Sequence, residues 1–273
     1  MSPDKHDINA IFTAKSQLRD KRNAAVIIAR GRSRRLPFKN VLPFCGHPLV
    51  SWCIIQAKMS HLITDVYLST DDDEIAEVGE KYGAAIIRRS HELAELTGTA
   101  SFAHAILEIK HPIDLFLAIM PTAPVRPPWD FDEAIMLYNW LENQYGLNYQ
   151  LCPLVPQLET VIYKKLGENH AELCIQNKNW EYVHLSGSWT IQPPARYMRT
   201  WSEMPTEQDD KLDKLYSKPE NDPNRRMYFY PIETWQSVDI DLWEHFELAE
   251  LMMNHYVTKG NGMQTYHKYG EAE

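Results

Sequence analysis

The chain has 273 residues, with 44% hydrophobic and 24% charged side chains and a formal net charge of −9. This is the composition of a globular protein large enough to bury a sizeable core, which excludes global disorder and fibrous repeats. The acidic balance argues against wholesale binding to nucleic acid or to an anionic membrane surface, so an anionic ligand needs a local basic site.

Residues 1–22 are charged and polar and read as an appended N-terminal arm. No apolar run reaches the roughly 20 residues that span a bilayer, and a cytoplasmic protein with no membrane partner is expected. From Ala24 short apolar runs alternate with longer amphipathic stretches, the pattern of an α/β fold built on a mostly parallel sheet. The expected strands are Ala24–Ala29, Asp65–Ser69, Ala84–Arg88 and Leu115–Met120. Between them the spacing predicts helices over Leu49–Ser60, Asp72–Tyr82, Ser101–Lys110 and Trp129–Gln144. Acids at Asp71–Glu74 suit a helix N-terminus, and Thr97 and Thr99 are candidate caps for the third helix.

Beyond Gly146 the alternation fails. Residues 147–200, with a strand-like run at Tyr149–Val155, read as a small inserted or dimer-forming subdomain, and 202–226, poor in apolar side chains, as a flexible loop. Strand-like MYFYPIETW and VDI then lead into a helix over Leu242–Tyr256. The principal domain is therefore placed at 23–257, with a C-terminal tail over 258–273. The four cysteines, Cys45, Cys53, Cys152 and Cys174, form no CxxC pair and read as reduced thiols rather than zinc ligands.

Two constellations carry chemistry. The first expected strand runs into a loop holding Arg30, Arg32, Arg34, Arg35 and Lys39 with no acid among them. Ligands of open parallel sheets bind beyond the carboxyl ends of the strands, and guanidinium forks match phosphate oxygens, so the loop points to a polyphosphate. A solvated basic turn is the competing reading. Neither GxxxxGK[ST] nor GxGxxG follows the strand, which disfavours P-loop and hydride-transfer folds. The second constellation is Ser237-Val238-Asp239-Ile240-Asp241. Residues two apart on an extended chain share a side, so Asp239 and Asp241 could converge on a hard cation such as Mg²⁺ while Val238 and Ile240 enter the core. Asp241 as the N-cap of the following helix is the alternative.

The segments AVIIARGRSRRLPFKN, STDDDEIAEVGEKYGA, RRSHELAELTGTAS, PTAPVR and SVDIDLWEHFELAE resemble, in order, the cytidylyltransferases that activate sialic acid and related sugar acids, the CMP-N-acylneuraminate synthetases. The resemblance implies a three-layer αβα sandwich of the nucleotide-diphospho-sugar transferase type, usually a homodimer. It implies Mg²⁺-dependent transfer of CMP from CTP to a nonulosonate, with release of pyrophosphate. Alternatives are another acid sugar, such as ketodeoxyoctonate, legionaminate or pseudaminate, or a nucleotide-binding relative without catalysis.

Carried over by residue, Arg30, Ser33, Arg34, Lys39 and Asn40 match the family's nucleotide loop, with Arg30, Arg34 and Lys39 as the cations that stabilise the transition state. Arg89 matches an arginine near the cytosine, with Arg88 as the competing register. Asp239 and Asp241 match the paired metal ligands. Departures are the bulky Arg32 and Arg35, Met120 before the PTxP turn, and a missing RPNG element, whose best counterpart is Ser186-Gly187-Ser188-Trp189. No general base is legible.

Overall fold

The computed structural model describes residues 21–33, 35–145, 150–156, 160–165, 171–177, 183–185, 188–194 and 227–261. Arg34, the greater part of the N-terminal arm, the 202–226 loop, Ser186 and Gly187, and the end of the tail lie outside the described residues. Strand β1 (Asn23–Ala29) is followed by the short hairpin β2 (Pro43–Phe44) and β3 (His47–Pro48) and by helix α1 (Leu49–Met59). Then come β4 (Asp65–Thr70), α2 (Asp73–Lys81), β5 (Ala85–Arg88), α3 (His91–Glu95), α4 (Gly98–Glu108), β6 (Leu115–Ile119) and α5 (Asp130–Tyr145). The remainder comprises β7 (Gln150–Pro156), β8 (Thr160–Lys165), β9 (Ala171–Asn177), β10 (Val183–Leu185), β11 (Trp189–Gln192), β12 (Met227–Pro231) and α6 (Trp243–Met252), which runs on into a π-helical stretch, Met253–Asn261.

The central sheet has eight strands in the order β10-β7-β11-β6-β1-β4-β5, with β12 beside β7. β1 pairs in parallel with β4 and β6, and β4 with β5, so the sheet is parallel where the sequence alternates βα. β1 is buried along its whole length, and its side chains alternate between two cores. Ala25, Ile27 and Ala29 pack with Ile54 of α1, Ile75 of α2 and Phe131 and Ile135 of α5. Val26 and Ile28 face the opposite way, toward Phe102, Ala103 and Ala105 of α4. Helices thus cover both faces, giving the expected αβα layering.

The stretch at 147–200 is divided between two sheets. β11 pairs antiparallel with β6, Trp189 opposite Ile119, and touches β7 at Ile191 and Leu151, so both strands extend the central sheet. β8 and β9 form a separate antiparallel pair. Trp189 is buried against Phe131 and Tyr230. It is a core residue, which corrects its suggested place in a sugar-binding element.

A third core joins distant parts of the chain. Leu36, Phe44, Leu49, Trp52, Val125, Ile240, Phe246 and Ala249 pack in one cluster. Leu36 lies in the basic loop and Ile240 between the paired aspartates, so this small core brings the two constellations to the same end of the sheet. Among the described residues no helix is long and apolar enough to cross a membrane.

Candidate active site

A cavity of about 620 Å³ opens at the carboxyl ends of β1, β5 and β6. Its lining includes Arg30, Ser33, Lys39, Asn40, Arg89, Asp239 and Asp241, every described residue singled out for the site in the sequence, together with Arg35. An apolar wall of Ile28, Ala94, Leu96 and Met120 completes it.

The basic loop is fixed at several points. Asn40 donates to the carbonyl of Arg30 at 3.0 Å. The Gly31 N–H donates to Asp71 Oδ1 at 3.2 Å, and His91 Nδ1 donates to Asp71 Oδ2 at 2.8 Å. Burial opposes ionisation of Asp71, but the hydrogen bonds from His91 and Gly31 and the charge of Arg89 outweigh it and hold its carboxyl below the usual range. Asp71 therefore ties the loop to α3, a role not read from the acidic run. Of the neighbouring acids, Asp72 caps α2 by accepting from Ile75 N–H at 3.0 Å. Arg30 and Glu95 make a second tie across the mouth at 3.8 Å.

Lys39 is buried, and its ammonium donates to the carbonyl of Ile240. Burial pushes its pKa below the ordinary lysine value, with Asp241 and Asp239 pulling the other way. Arg89 is also buried, and burial pushes its pKa down to about 10. Its guanidinium donates to Ala29 O at 3.0 Å and Ser69 Oγ at 2.9 Å, and also to the Ser69 carbonyl, locking the ends of β1 and β4 together. Arg88 turns to the surface, 2.9 Å from Asp73, while Arg89 lines the cavity. Two buried polar atoms on the lining have no partner: Arg89 Nε, a donor, and Asn40 Oδ1, an acceptor. Buried polar groups are rarely left unpaired, so these two lining residues keep one donor and one acceptor unsatisfied among the described residues.

The acidic wall arrives from the far end of the chain. Ile240 N–H donates to Thr122 O at 2.7 Å, seating the segment beside the turn after β6. Ile240 is fully buried and Val238 partly so, as the alternation requires. The N-cap of α6 is Leu242, and no side chain caps it, so the capping alternative for Asp241 is not realised. Asp239 is exposed and Asp241 half-buried. Among the described residues no three His, Cys, Asp or Glu cluster as a complete metal cage. Two carboxylates on the lining of a cavity that also carries cations nonetheless suit Mg²⁺, which takes one or two carboxylates and completes its shell with phosphate oxygens and water. Cys45, Cys53 and Cys152 are not joined in disulfides.

Upstream of the acidic wall, Gln236 donates to Asp130 Oδ2 at 2.6 Å, and Tyr230 donates to Glu133 and Asp130 at 3.1 and 3.3 Å. Burial pushes the Asp130 carboxyl up to about 7, partly offset by Arg126 and reinforced by Glu133. This polar knot anchors the 234–237 turn to α5. Its partners lie about a hundred positions apart, and no spacing in the sequence pairs them.

A family model described as Cytidylyltransferase matches residues 24–148. A pseudaminic acid cytidylyltransferase of Campylobacter jejuni is 39% identical over 166 residues, 59% of this chain and 70% of that protein. An N-acylneuraminate cytidylyltransferase of Danio rerio is 32% identical over 136 residues, 49% of this chain and 31% of that protein. This chain spans less than a third of the length of such N-acylneuraminate relatives. Among solved structures, a CMP:2-keto-3-deoxy-manno-octonic acid synthetase in complex with CTP has a TM-score of 0.63 at 14% identity, covering 87% of this chain and 100% of that one.

Proposed function

The chain belongs to the cytidylyltransferase family, and from that premise we propose that it transfers CMP from CTP to a sialic-acid-like sugar acid, releasing pyrophosphate. The observation that carries the reading is that one cavity at the carboxyl ends of the parallel strands holds Arg30, Ser33 and Lys39 together with Asp239 and Asp241. A cationic loop without a facing acid would fit any anion. Cations and paired carboxylates together fit a triphosphate with its metal.

In this reaction the anomeric hydroxyl oxygen of the acceptor bonds to the α-phosphorus and gives up its proton. The bond from the α-phosphorus to its bridging oxygen breaks, and pyrophosphate leaves. Charge moves onto the departing oxygens, where Arg30 and Lys39 stand ready as fixed cations, with Arg34 assigned to the same loop. Lys39 is suited to this because its ammonium is already desolvated and anchored, so little reorganisation accompanies the reaction. Asp239 and Asp241 would hold Mg²⁺, which would supply positive charge to neutralise the phosphates. Arg89 Nε and Asn40 Oδ1 offer the unpaired donor and acceptor that a pyrimidine base, bearing both a carbonyl and an amino group, would satisfy.

The acceptor belongs to the nonulosonates. Pseudaminate is favoured over the others by the 39% identity across 70% of a pseudaminic acid cytidylyltransferase. The Met120 and Leu96 surfaces suit an acceptor carrying acyl or methyl groups. A cytoplasmic homodimer is part of the same proposal, to be checked by light scattering and cell fractionation. The deciding experiment incubates purified protein with CTP, Mg²⁺ and a panel of N-acetylneuraminate, legionaminate, pseudaminate and ketodeoxyoctonate while pyrophosphate is followed. Release with one acid identifies the acceptor. Tight CTP binding with no release from any acid would instead make the chain a nucleotide-binding relative without catalysis.

A further inference from the structure

Asp241 is half of the carboxylate pair assigned above to the metal, yet both of its oxygens already face cations of the chain itself. Arg35 Nη1 lies 2.8 Å from Asp241 Oδ2. Lys39 Nζ lies 3.8 Å from Asp241 Oδ1. The two cations differ in kind. The Lys39 side chain is 9% exposed and is fixed by its bond to the Ile240 carbonyl. The Arg35 side chain is 65% exposed, so its pair with Asp241 is screened by water and readily exchanged. Asp239, two residues away, makes no ion pair among the described residues, so the described cations of the chain engage one carboxylate of the pair.

We propose that Arg35 is a stand-in cation. It neutralises Asp241 while the cavity lacks nucleotide and moves onto the triphosphate when nucleotide and metal enter together. The inference rests on the reading of Asp239 and Asp241 as the metal pair. Arg35 lines the cavity alongside Arg30 and Lys39, so a guanidinium released from Asp241 is already positioned beside the incoming phosphates. The exchange conserves charge: Asp241 trades one cation for another, and Arg35 trades a carboxylate for a phosphate that its fork fits at least as well.

The consequence is coupling. A free divalent ion must displace Arg35 with nothing to receive it, whereas metal and triphosphate together satisfy both displaced groups, and each therefore favours binding of the other. The site would discriminate against metal without nucleotide.

The test reads binding rather than turnover. Mn²⁺ is titrated into full-length protein without nucleotide and followed by electron paramagnetic resonance, for wild type, Arg35→Ala and Asp239→Asn. CTP is then titrated calorimetrically into the Mn²⁺-saturated proteins with no acceptor present. Arg35→Ala should tighten Mn²⁺ alone by about two- to fivefold, the range an exposed ion pair covers. It should weaken CTP binding by about tenfold, the loss of one charge-assisted contact. The thermal midpoint should stay near wild type, because the side chain is exposed. Unchanged Mn²⁺ affinity in Arg35→Ala, with weakened affinity in Asp239→Asn, would overturn the stand-in role and leave the metal pair intact. Unchanged affinity in both would overturn the metal assignment and this inference with it.

Discussion

The basic wall of the cavity and its acidic wall are assembled in opposite ways. Arg30, Ser33 and Lys39 sit on a loop continuous with β1, a fully buried strand paired on both sides by parallel neighbours. Asp239 and Asp241 ride on a short extended segment that pairs with no strand among the described residues, held by Ile240 in the small core with Leu36, by the Ile240–Thr122 backbone bond and by Gln236 on Asp130. The cations of the basic wall come from one βα loop, although Lys39 is also anchored on the Ile240 carbonyl of the acidic wall. The acidic wall is a tertiary product of contacts from several distant parts of the chain, so it should fail before the fold does.

The largest effect expected from breaking this pairing is on chemistry. Asp239→Asn keeps the size of an exposed side chain but removes its charge, and should lower metal-dependent pyrophosphate release about 10²–10³-fold, the usual scale for one lost electrostatic contact to the transition state. Unfolding by denaturant should remain as in wild type. Unaltered turnover in this variant would detach the acidic wall from catalysis.

Ile240→Ala tests the tertiary route itself. Ile240 is fully buried, and truncation leaves a cavity beneath the segment, at a cost of about 2–5 kcal/mol in unfolding free energy. The metal concentration giving half-maximal activity should rise, while CTP binding measured without metal stays close to wild type. An equal loss of both would mean that the two walls are not independent.

The polar knot at Asp130 sharpens the contrast through pH. Its carboxyl titrates near 7 in the folded protein against an ordinary value of 3.8, among Arg126, Glu133, Tyr230 and Gln236. Between those values the folded chain keeps a proton that the unfolded chain has lost. The stability this gives is fully present below about pH 4 and is lost as pH rises toward 7, by at most about 1.4 kcal/mol per pH unit. Asp130→Asn should flatten that part of the stability profile, read from denaturant midpoints at successive pH values. A profile unchanged by the substitution would remove Asp130 as the titrating group.

What was legible in the sequence follows the same division. The parallel strands were placed to within about a residue, because a buried strand between amphipathic helices repeats its pattern several times. The third expected helix starts at Gly98 rather than Ser101 because Thr97 supplies the cap, accepting from Ala100 N–H. Helix α3 went unread: five residues are too few to show a helical period. β11 was hidden for a related reason, its four residues lying within a region of broken pattern, where pairing with β6 is decided by tertiary packing. Residue types and their order sufficed to single out Arg30, Lys39, Asp239 and Asp241, which the fold brings to one cavity. The Arg35–Asp241 pair and the Asp71–His91 tie were not readable, since each depends on which of several nearby charges turns inward.

The smallest and most local test returns to the basic wall, at Gly31. A Cβ built there would lie 2.4 Å from Asp72 Oδ2 and 2.8 Å from Asp72 Cβ, too close for both residues to keep their places. Asp72 is the N-cap of α2, and the Gly31 N–H is bonded to Asp71, so Gly31→Ala forces a choice between the cap and the loop. If Asp72 gives way, the helix loses its cap at a cost of about 1 kcal/mol, and the KM for CTP is preserved. If the loop gives way, Gly31 leaves Asp71, Arg30 moves with it, and the KM for CTP rises several-fold with little change in stability. The first outcome is expected: turning the Asp72 carboxylate clears its Oδ2, the contact with Asp72 Cβ requires a backbone shift at the end of α2, and the loop opposite is held at Gly31, Arg30 and Lys39. Denaturant unfolding and CTP kinetics on the same variant separate the two, and a rise in KM without loss of stability would show the basic loop to be softer than its hydrogen bonds imply.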